Sequence, residues 1–326
     1  MRVSLVGHFA DSLDEGVREV GKRMAKELGS RGIEVKKINI TSITHWKEIR
    51  NFHPDIIHFV LSPALSGLII TKFISILHFK AKTIISAIQP AIPNWKALKL
   101  FNPNLVLVQS EESERLFRSI GYQTEFLPNG VDINKFKPVD LRTKERLRDK
   151  YGVSHDKFLI LHLASLKKER NLDIFKRIQK QEGNQVIIVG RENESIDKQV
   201  ASGLQEAGCI VWIKHFPNIE EIYNLSDCYV FPVINKKACI EMPLSVLEAM
   251  ACNLPVITTR FGALPRIFDD GDGLFFVEKE EDFYKGLEEV KNKTIKIKTR
   301  EKVLPYSWQN VAQRLEEIYR ELFYCS

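Results

Sequence analysis

At 326 residues the chain has room for two domains of ordinary size, and 44% hydrophobic with 28% charged residues is a globular balance. The net charge of +6 sits mostly in residues 1–130, with 17 Lys+Arg against 12 Asp+Glu. Aromatic-rich basic strands, a helix-turn-helix pattern and basic tails are all missing, so no nucleic-acid partner is expected. Five cysteines at 209, 228, 239, 252 and 325 form no CxxC pair, which argues against a zinc centre and a disulfide scaffold. No uncharged apolar run reaches the length of a spanning helix. The opening "MRVSLVGHFA" is too short for a signal-peptide core and reads as a first strand, so a cytoplasmic chain is expected.

In chain order, "RVSLVG" is followed by a helical stretch in which Val17, Val20, Met24 and Leu28 recur at helical spacing. "IEVKKINI", a short "HWKEIRNF" and "DIIHFV" come next. "GLIITKFISILHFKAK" has helical length, "TIISAI" and "NLVLVQS" read as strands, and "EESERLFRSIG" as a helix. "LPNGVDINKFKP" then breaks the pattern with two prolines and an Asn-Gly. The alternation restarts with "FLILHLA" and runs through "QVIIVG", "CIVWIKH" and "CYVFPV" to a closing amphipathic "SWQNVAQRLEEIYRELF". Such βαβα order predicts an α/β chain of two Rossmann-like, doubly wound parallel-sheet domains facing a central cleft, with ligands at the carboxyl ends of the strands. The expected bounds are 1–130 and 131–306, with the helix 307–324 packing back on the first domain.

Within "CIEMPLSVLEAMACNLPVITT", Glu248 stands among Leu247, Ala249, Met250, Ala251 and Cys252. Pro243 suits a first helical turn and Asn253 a helix stop. The residues by themselves leave a solvated carboxylate and a ligand carboxylate both open.

"PLSVLEAMACNLPVI", "LPNGVDINKFKP", "SDCYVFP" and the terminal "SW…VA…LEEIY" resemble, in order and spacing, glycosyltransferase family 4, retaining enzymes of the GT-B fold. The resemblance implies a hexosyltransferase-type enzyme moving a sugar from a nucleotide-sugar donor to a hydroxyl acceptor, in glycan biosynthesis or on a lipid-linked or phosphorylated compound. It implies that Glu248 accepts hydrogen bonds from the donor ribose. Leu244, Ser245 and Val246 would offer N–H groups of a helix N-terminus to the diphosphate, a role the positive dipole end favours. For Ser245 a plain capping role stays open.

Departures from the family pattern are specific. The first glutamate of the family motif falls on Ile240, with Glu241 one place later. Either the loop is shortened and Glu241 holds sugar hydroxyls, or Glu241 is a surface carboxylate. The family's diphosphate-clamping Arg and Lys correspond to Ser165 and Arg170 in "ASLKKERN". Arg170 would then be the catalytic cation, with Lys167 or Lys168 replacing the missing Arg, or both lysines solvated. Gly190, closing "QVIIVG", joins the donor side. Gly7 and Gly16 stand for the family's glycine-rich acceptor and diphosphate loop, and Gln89 occupies the place of its usual histidine.

"DDGDG" contains Asp-x-Asp, a metal motif in another glycosyltransferase fold, but between "GALPRIF" and "LFFV" it reads as a turn. Neither metal nor cofactor is expected. "GLIITKFISILHFKAK", with Lys72, Lys80 and Lys82, is either a helix packed on the sheet or a surface for peripheral membrane contact by the basic first half. The rival readings are a non-catalytic nucleotide-sugar or glycan-binding partner subunit and a sugar-nucleotide epimerase.

Overall fold

The computed structural model describes residues 1–9, 15–39, 45–61, 72–74, 76, 80–89, 103–192 and 196–324. These form two compact units: Met1–Gly130 with Cys239–Pro243 and Tyr306–Ser326, and Val131–Ala238 with Leu244–Pro305. The five residues Cys239–Pro243, expected in the second unit, group with the first. The segment "GLIITKFISILHFKAK" falls largely outside the described residues.

In the first unit, β1 (Arg2–Gly7), β2 (Glu34–Asn39), β3 (Ile56–Leu61), β4 (Lys82–Ala87), β5 (Leu105–Val108) and β6 (Thr124–Phe126) pair in parallel, in the order β2-β1-β3-β4-β5-β6. The apolar runs of the inner strands β1, β3, β4 and β5 have little polar alternation because helices cover such a sheet on both faces. Thus Ile56, Ile57, Phe59 and Val60 in β3 are all buried. Helix α1 (Glu15–Ser30) presents Val17, Val20, Met24 and Leu28 as one buried stripe, as their spacing predicts. Helices α2 (His45–Phe52) and α3 (Glu111–Ile120) complete this part of the unit. Ser110 caps α3 by accepting from Ser113 N at 3.0 Å, and Gly121 ends it at φ 97°.

The last helix, Trp308–Tyr324, packs against α1. Arg31 Nε meets Glu316 Oε2 at 2.6 Å. Beneath it His58 is fully buried, its Nδ1 2.6 Å from the Tyr319 hydroxyl and its Nε2 2.7 Å from Ser86 Oγ. Gly130 has no room for a side chain, since a Cβ would lie 2.7 Å from Trp308 Cα.

The second unit runs α4 (Leu141–Tyr151), β7 (Phe158–Leu163), α5 (Asp173–Gln179), β8 (Asn184–Gly190), α6 (Lys198–Glu206), β9 (Ile210–Ile213), α7 (Ile219–Leu225) and β10 (Cys228–Phe231). It continues with α8 (Leu244–Ala251), β11 (Val256–Thr259), α9 (Leu264–Ile267), β12 (Leu274–Val277), α10 (Glu280–Lys291) and α11 (Thr299–Val303). Its parallel sheet has the order β12-β11-β10-β7-β8-β9. The order reverses between β7 and β10, the topological switch point at which ligands bind in doubly wound sheets.

Helix α8 ends where Asn253 turns to φ 56°, while Leu254 N returns to Ala249 O at 3.0 Å. Arg300 secures that end by donating to Ala251 O at 2.5 Å, Ile133 O at 3.0 Å and Phe136 O at 2.9 Å. "DDGDG" is a turn: Gly271, Asp272 and Gly273 all have positive φ, and Asp270 Oδ1 accepts from Phe276 N at 2.6 Å. Among the described residues, no helix is long and apolar enough to cross a membrane.

Candidate nucleotide site

The switch point of the second unit gathers three pieces of chain. The first is the loop after β7. Leu166 is fully buried there, and it crowds Gly190 at the end of β8, where a Cβ would lie 3.1 Å from the Leu166 side chain. Lys168–Arg170 then form one turn of 3₁₀-helix, and Asn171 leaves it at φ 57°. The Asn171 amide donates to Pro232 O at 3.1 Å, tying this loop to the chain leaving β10.

The second piece is the pair His162 and Arg170. Both faces of β7 are covered, so His162 is completely buried, and its Nδ1 lies 2.8 Å from Val230 O. That carbonyl can only accept, so Nδ1 carries the proton and Nε2 is a bare acceptor. Burial pushes the imidazole down to about 3, against the pull of the Val230 bond and with help from the Arg170 charge. Nε of Arg170 is itself buried with no hydrogen-bond partner among the described residues. Arg170 as a whole is half-buried, and a guanidinium whose buried Nε–H goes unused suits an anion. Lys167 is half-buried and Lys168 exposed, and Ser165 is buried.

The third piece is α8. Val246, Leu247, Ala249, Met250 and Ala251 are buried, whereas Leu244, Ser245 and Glu248 keep partial exposure on one side of the helix. Two tyrosines hold the polar pair. Tyr229 in β10 donates to Ser245 Oγ at 2.8 Å and lies 3.5 Å from the carbonyl of Leu163, where β7 ends. Tyr223 in α7 donates to Glu248 Oε2 at 2.7 Å. Burial, and next the neighbouring Glu248 charge, hold the Tyr223 phenol well above its ordinary pKa, so it stays a donor. Ser245 therefore lies inside the helix with its hydroxyl engaged and is not a capping residue.

The second unit thus brings together Arg170, Ser165, Lys167, Lys168, Gly190, Leu244, Ser245, Val246 and Glu248 around one switch point. Glu241 groups with the first unit. Its backbone N–H donates to Ile88 O at 2.9 Å, and the Asn129 amide holds Met242 O at 2.9 Å, which draws the segment into the first unit. The Glu241 carboxylate accepts from Ser110 N at 3.2 Å, Ser110 Oγ at 2.9 Å and the Ser113 hydroxyl, closing the N-terminus of α3. The Glu241 carboxylate is thus held at a helix end and is not a solvated surface carboxylate. Burial raises the Glu241 carboxyl above its ordinary range, partly offset by these serines.

Gly7 and Gly16 serve packing. A Cβ on Gly7 would lie 3.0 Å from Val60 O, and one on Gly16 would lie 3.3 Å from the Ile240 side chain. Gln89 is half-buried just beyond β4. Sequence reasoning missed Tyr223, Tyr229 and His162. The signal lay in "NIEEIYNLSDCYVFP", where two tyrosines sit six residues apart astride the turn into a buried strand.

Comparison with known proteins agrees with this arrangement. Residues 158–292 match the family described as Glycosyl transferases group 1. The N-acetyl-alpha-D-glucosaminyl L-malate synthase of Bacillus anthracis is 25% identical over 142 residues, 42% of this chain and 36% of that protein. The D-inositol 3-phosphate glycosyltransferase of Corynebacterium jeikeium is 26% identical over 219 residues, covering 60% of this chain and 51% of its own length. The matches to these two curated relatives thus span about half of their length or less. Among solved structures, Anabaena HepE in complex with UDP superposes with a TM-score of 0.77 at 14% identity, covering 98% of this chain and 99% of that one. Sucrose-phosphate synthase from Thermosynechococcus elongatus gives 0.76 at 16% identity, covering 100% of both chains. The chain carries the GT-B fold, and its residues 158–292 match the glycosyl transferases group 1 family.

Proposed function

We propose that the protein is a retaining, metal-independent glycosyltransferase that moves a hexose from a nucleotide-sugar donor to a hydroxyl acceptor. One observation carries the reading: α8 holds Ser245 and Glu248 in fixed, tyrosine-anchored positions at the switch point where Arg170 keeps an unpartnered buried donor. The N–H groups at Leu244, Ser245 and Val246, with Arg170, receive the diphosphate, and Ser165, Lys167, Lys168 and Gly190 border it. Glu248 accepts from the ribose hydroxyls. In the transfer, the bond from the anomeric carbon to the diphosphate oxygen breaks while a bond to the acceptor oxygen forms on the same face. The acceptor's proton passes to the departing phosphate oxygen, whose growing charge Arg170 and the helix end offset.

The UDP bound to HepE supports a nucleotide donor, and L-malate and D-inositol 3-phosphate in two relatives' names support a hydroxyl acceptor. Gly7, Gly16 and Gln89 remain the residues proposed for the acceptor side. Exposed Phe73 and Ile76, near Lys72 and Lys80, support peripheral membrane contact by this half. The second reading, a non-catalytic nucleotide-sugar-binding subunit, draws on the Glu241 carboxylate being engaged by Ser110 and Ser113. Turnover assays on the best binder from a panel of nucleotide-sugars decide between them: sugar transfer supports the enzyme, and tight binding without turnover supports the subunit.

A further inference from the structure

We propose that Tyr229 is a positioning residue: by donating its own proton to Ser245 Oγ it leaves the serine hydroxyl to act as a donor, and so adds a side-chain O–H to the N–H groups that α8 offers a diphosphate. This rests on the reading of that helix end as the diphosphate site. Tyr229 is completely buried in β10, its ring stacked on His162 at 6.2 Å and tilted against Tyr223 at 5.9 Å. Its backbone N–H is tied to Pro255 O at 2.9 Å. The phenol is therefore fixed, with Ser245 Oγ 2.8 Å from its oxygen and Leu163 O 3.5 Å away.

A phenol has one proton to give, and here two acceptors stand near it. At 2.8 Å the serine is at the ordinary O–H···O distance, whereas the carbonyl at 3.5 Å lies beyond it. Burial holds the phenol well above its ordinary pKa, so the proton stays in place. Ser245 Oγ therefore accepts from Tyr229, and the serine's own hydrogen needs a separate acceptor. A serine deeper in a helix can give that hydrogen to the carbonyl four residues back. Ser245 is the second residue of α8 and has no helical carbonyl at that place. Among the described residues its side chain bonds to Tyr229 and to no second partner. Ser245 keeps partial exposure, so an incoming phosphate oxygen can supply the missing acceptor in a charge-assisted bond. The Arg170 charge acts on the same phenol, so the cation and the serine hydroxyl share one neighbourhood. Tyr229→Phe lets the hydroxyl turn and accept from water, and the donor is no longer preset.

The test is titration calorimetry with UDP, GDP and ADP, continued with whichever the wild type binds and with its nucleoside, read by displacement. Tyr229→Phe keeps the ring and its stacking, Ser245→Ala removes the hydroxyl, and a thermal melt checks that each fold survives. Ser245→Ala should lose roughly tenfold in affinity for the diphosphate, and Tyr229→Phe about threefold or more. Neither should change affinity for the nucleoside. In the Ser245→Ala background, Tyr229→Phe should cost nothing further. A Tyr229→Phe loss that persists in that background, or that the nucleoside shares, is structural and overturns the positioning role. Ser245→Ala binding the diphosphate as wild type does overturns it as well. A wild type that binds nucleoside and diphosphate equally instead overturns the reading of α8 as the diphosphate site, whatever the variants do.

Discussion

The Ser110 hydroxyl lies 2.9 Å from Glu241, so a carboxylate from a segment more than a hundred residues downstream closes the first turn of α3. Three donors converge on it, from Ser110 N, Ser110 Oγ and Ser113. Glu241→Ala should cost about 1–3 kcal/mol of stability, the usual loss for capping and charged hydrogen bonds. Glu241→Gln keeps an acceptor for the serines and sheds a charge that burial disfavours, so its stability should stay within about 1 kcal/mol of wild type. Its turnover at saturating donor should be unchanged. A large fall in turnover for Glu241→Gln, with normal stability, would return this residue to the reacting centre.

Arg170 should matter more to the transition state than to the ground state, because the charge it faces grows as the glycosidic bond breaks. Arg170→Ala should lower turnover roughly a hundredfold or more while donor affinity falls less. Lysine there should restore part of the rate, since it keeps a charge and loses the two-pronged geometry. Near wild-type rates for both variants would shift the cation's role to Lys167 or Lys168.

On the proposed mechanism, in which a helix end and a guanidinium take the place of a divalent ion, transfer should withstand EDTA. Activity abolished by chelation and restored by manganese would overturn the metal-free mechanism and bring the "DDGDG" turn back into question.

Two histidines link stability to pH. Burial holds His58 and His162 neutral in the fold, each down to about 3. Unfolded histidine takes up a proton near pH 6.5. A depressed folded value means that their contribution is complete above about pH 6.5 and is lost as pH falls from there toward 3. Each should remove about 1.4 kcal/mol per pH unit across that window. Urea unfolding at pH 7, 5.5 and 4.5 checks this. His58→Gln, whose amide can still meet Ser86 and Tyr319, should lower the slope by about half of the histidine part. An unchanged slope would mean that His58 is accessible to protons in the folded protein.

The two parallel sheets were legible because a strand covered on both faces must be apolar along its length, as "IIHFV" in β3 is. The end of α8 was legible too, since Asn253 takes up a left-handed conformation that few other side chains tolerate. The anchoring role of Tyr223 and Tyr229 was not. A tyrosine in a buried run reads as core until the partner of its hydroxyl is known, and those partners lie 25 and 16 residues away. Glu241 was misplaced for a related reason. A loop's length and motif do not say which body of the protein a five-residue segment joins; Ile88, Ser110 and Asn129 decide that.

His58 and Tyr319 are separated by 261 residues, yet their hydrogen bond closes the interior of the first unit. On the ribosome, β3 therefore emerges long before the hydroxyl that satisfies its buried imidazole has been synthesised. A fragment ending at Gly130 would hold all six strands of the first sheet and still lack Tyr319, Trp308 and the carboxylate that closes α3. The amino-terminal half should reach its native packing only after the helix Trp308–Tyr324 has emerged, so a stretch translated late completes one translated early.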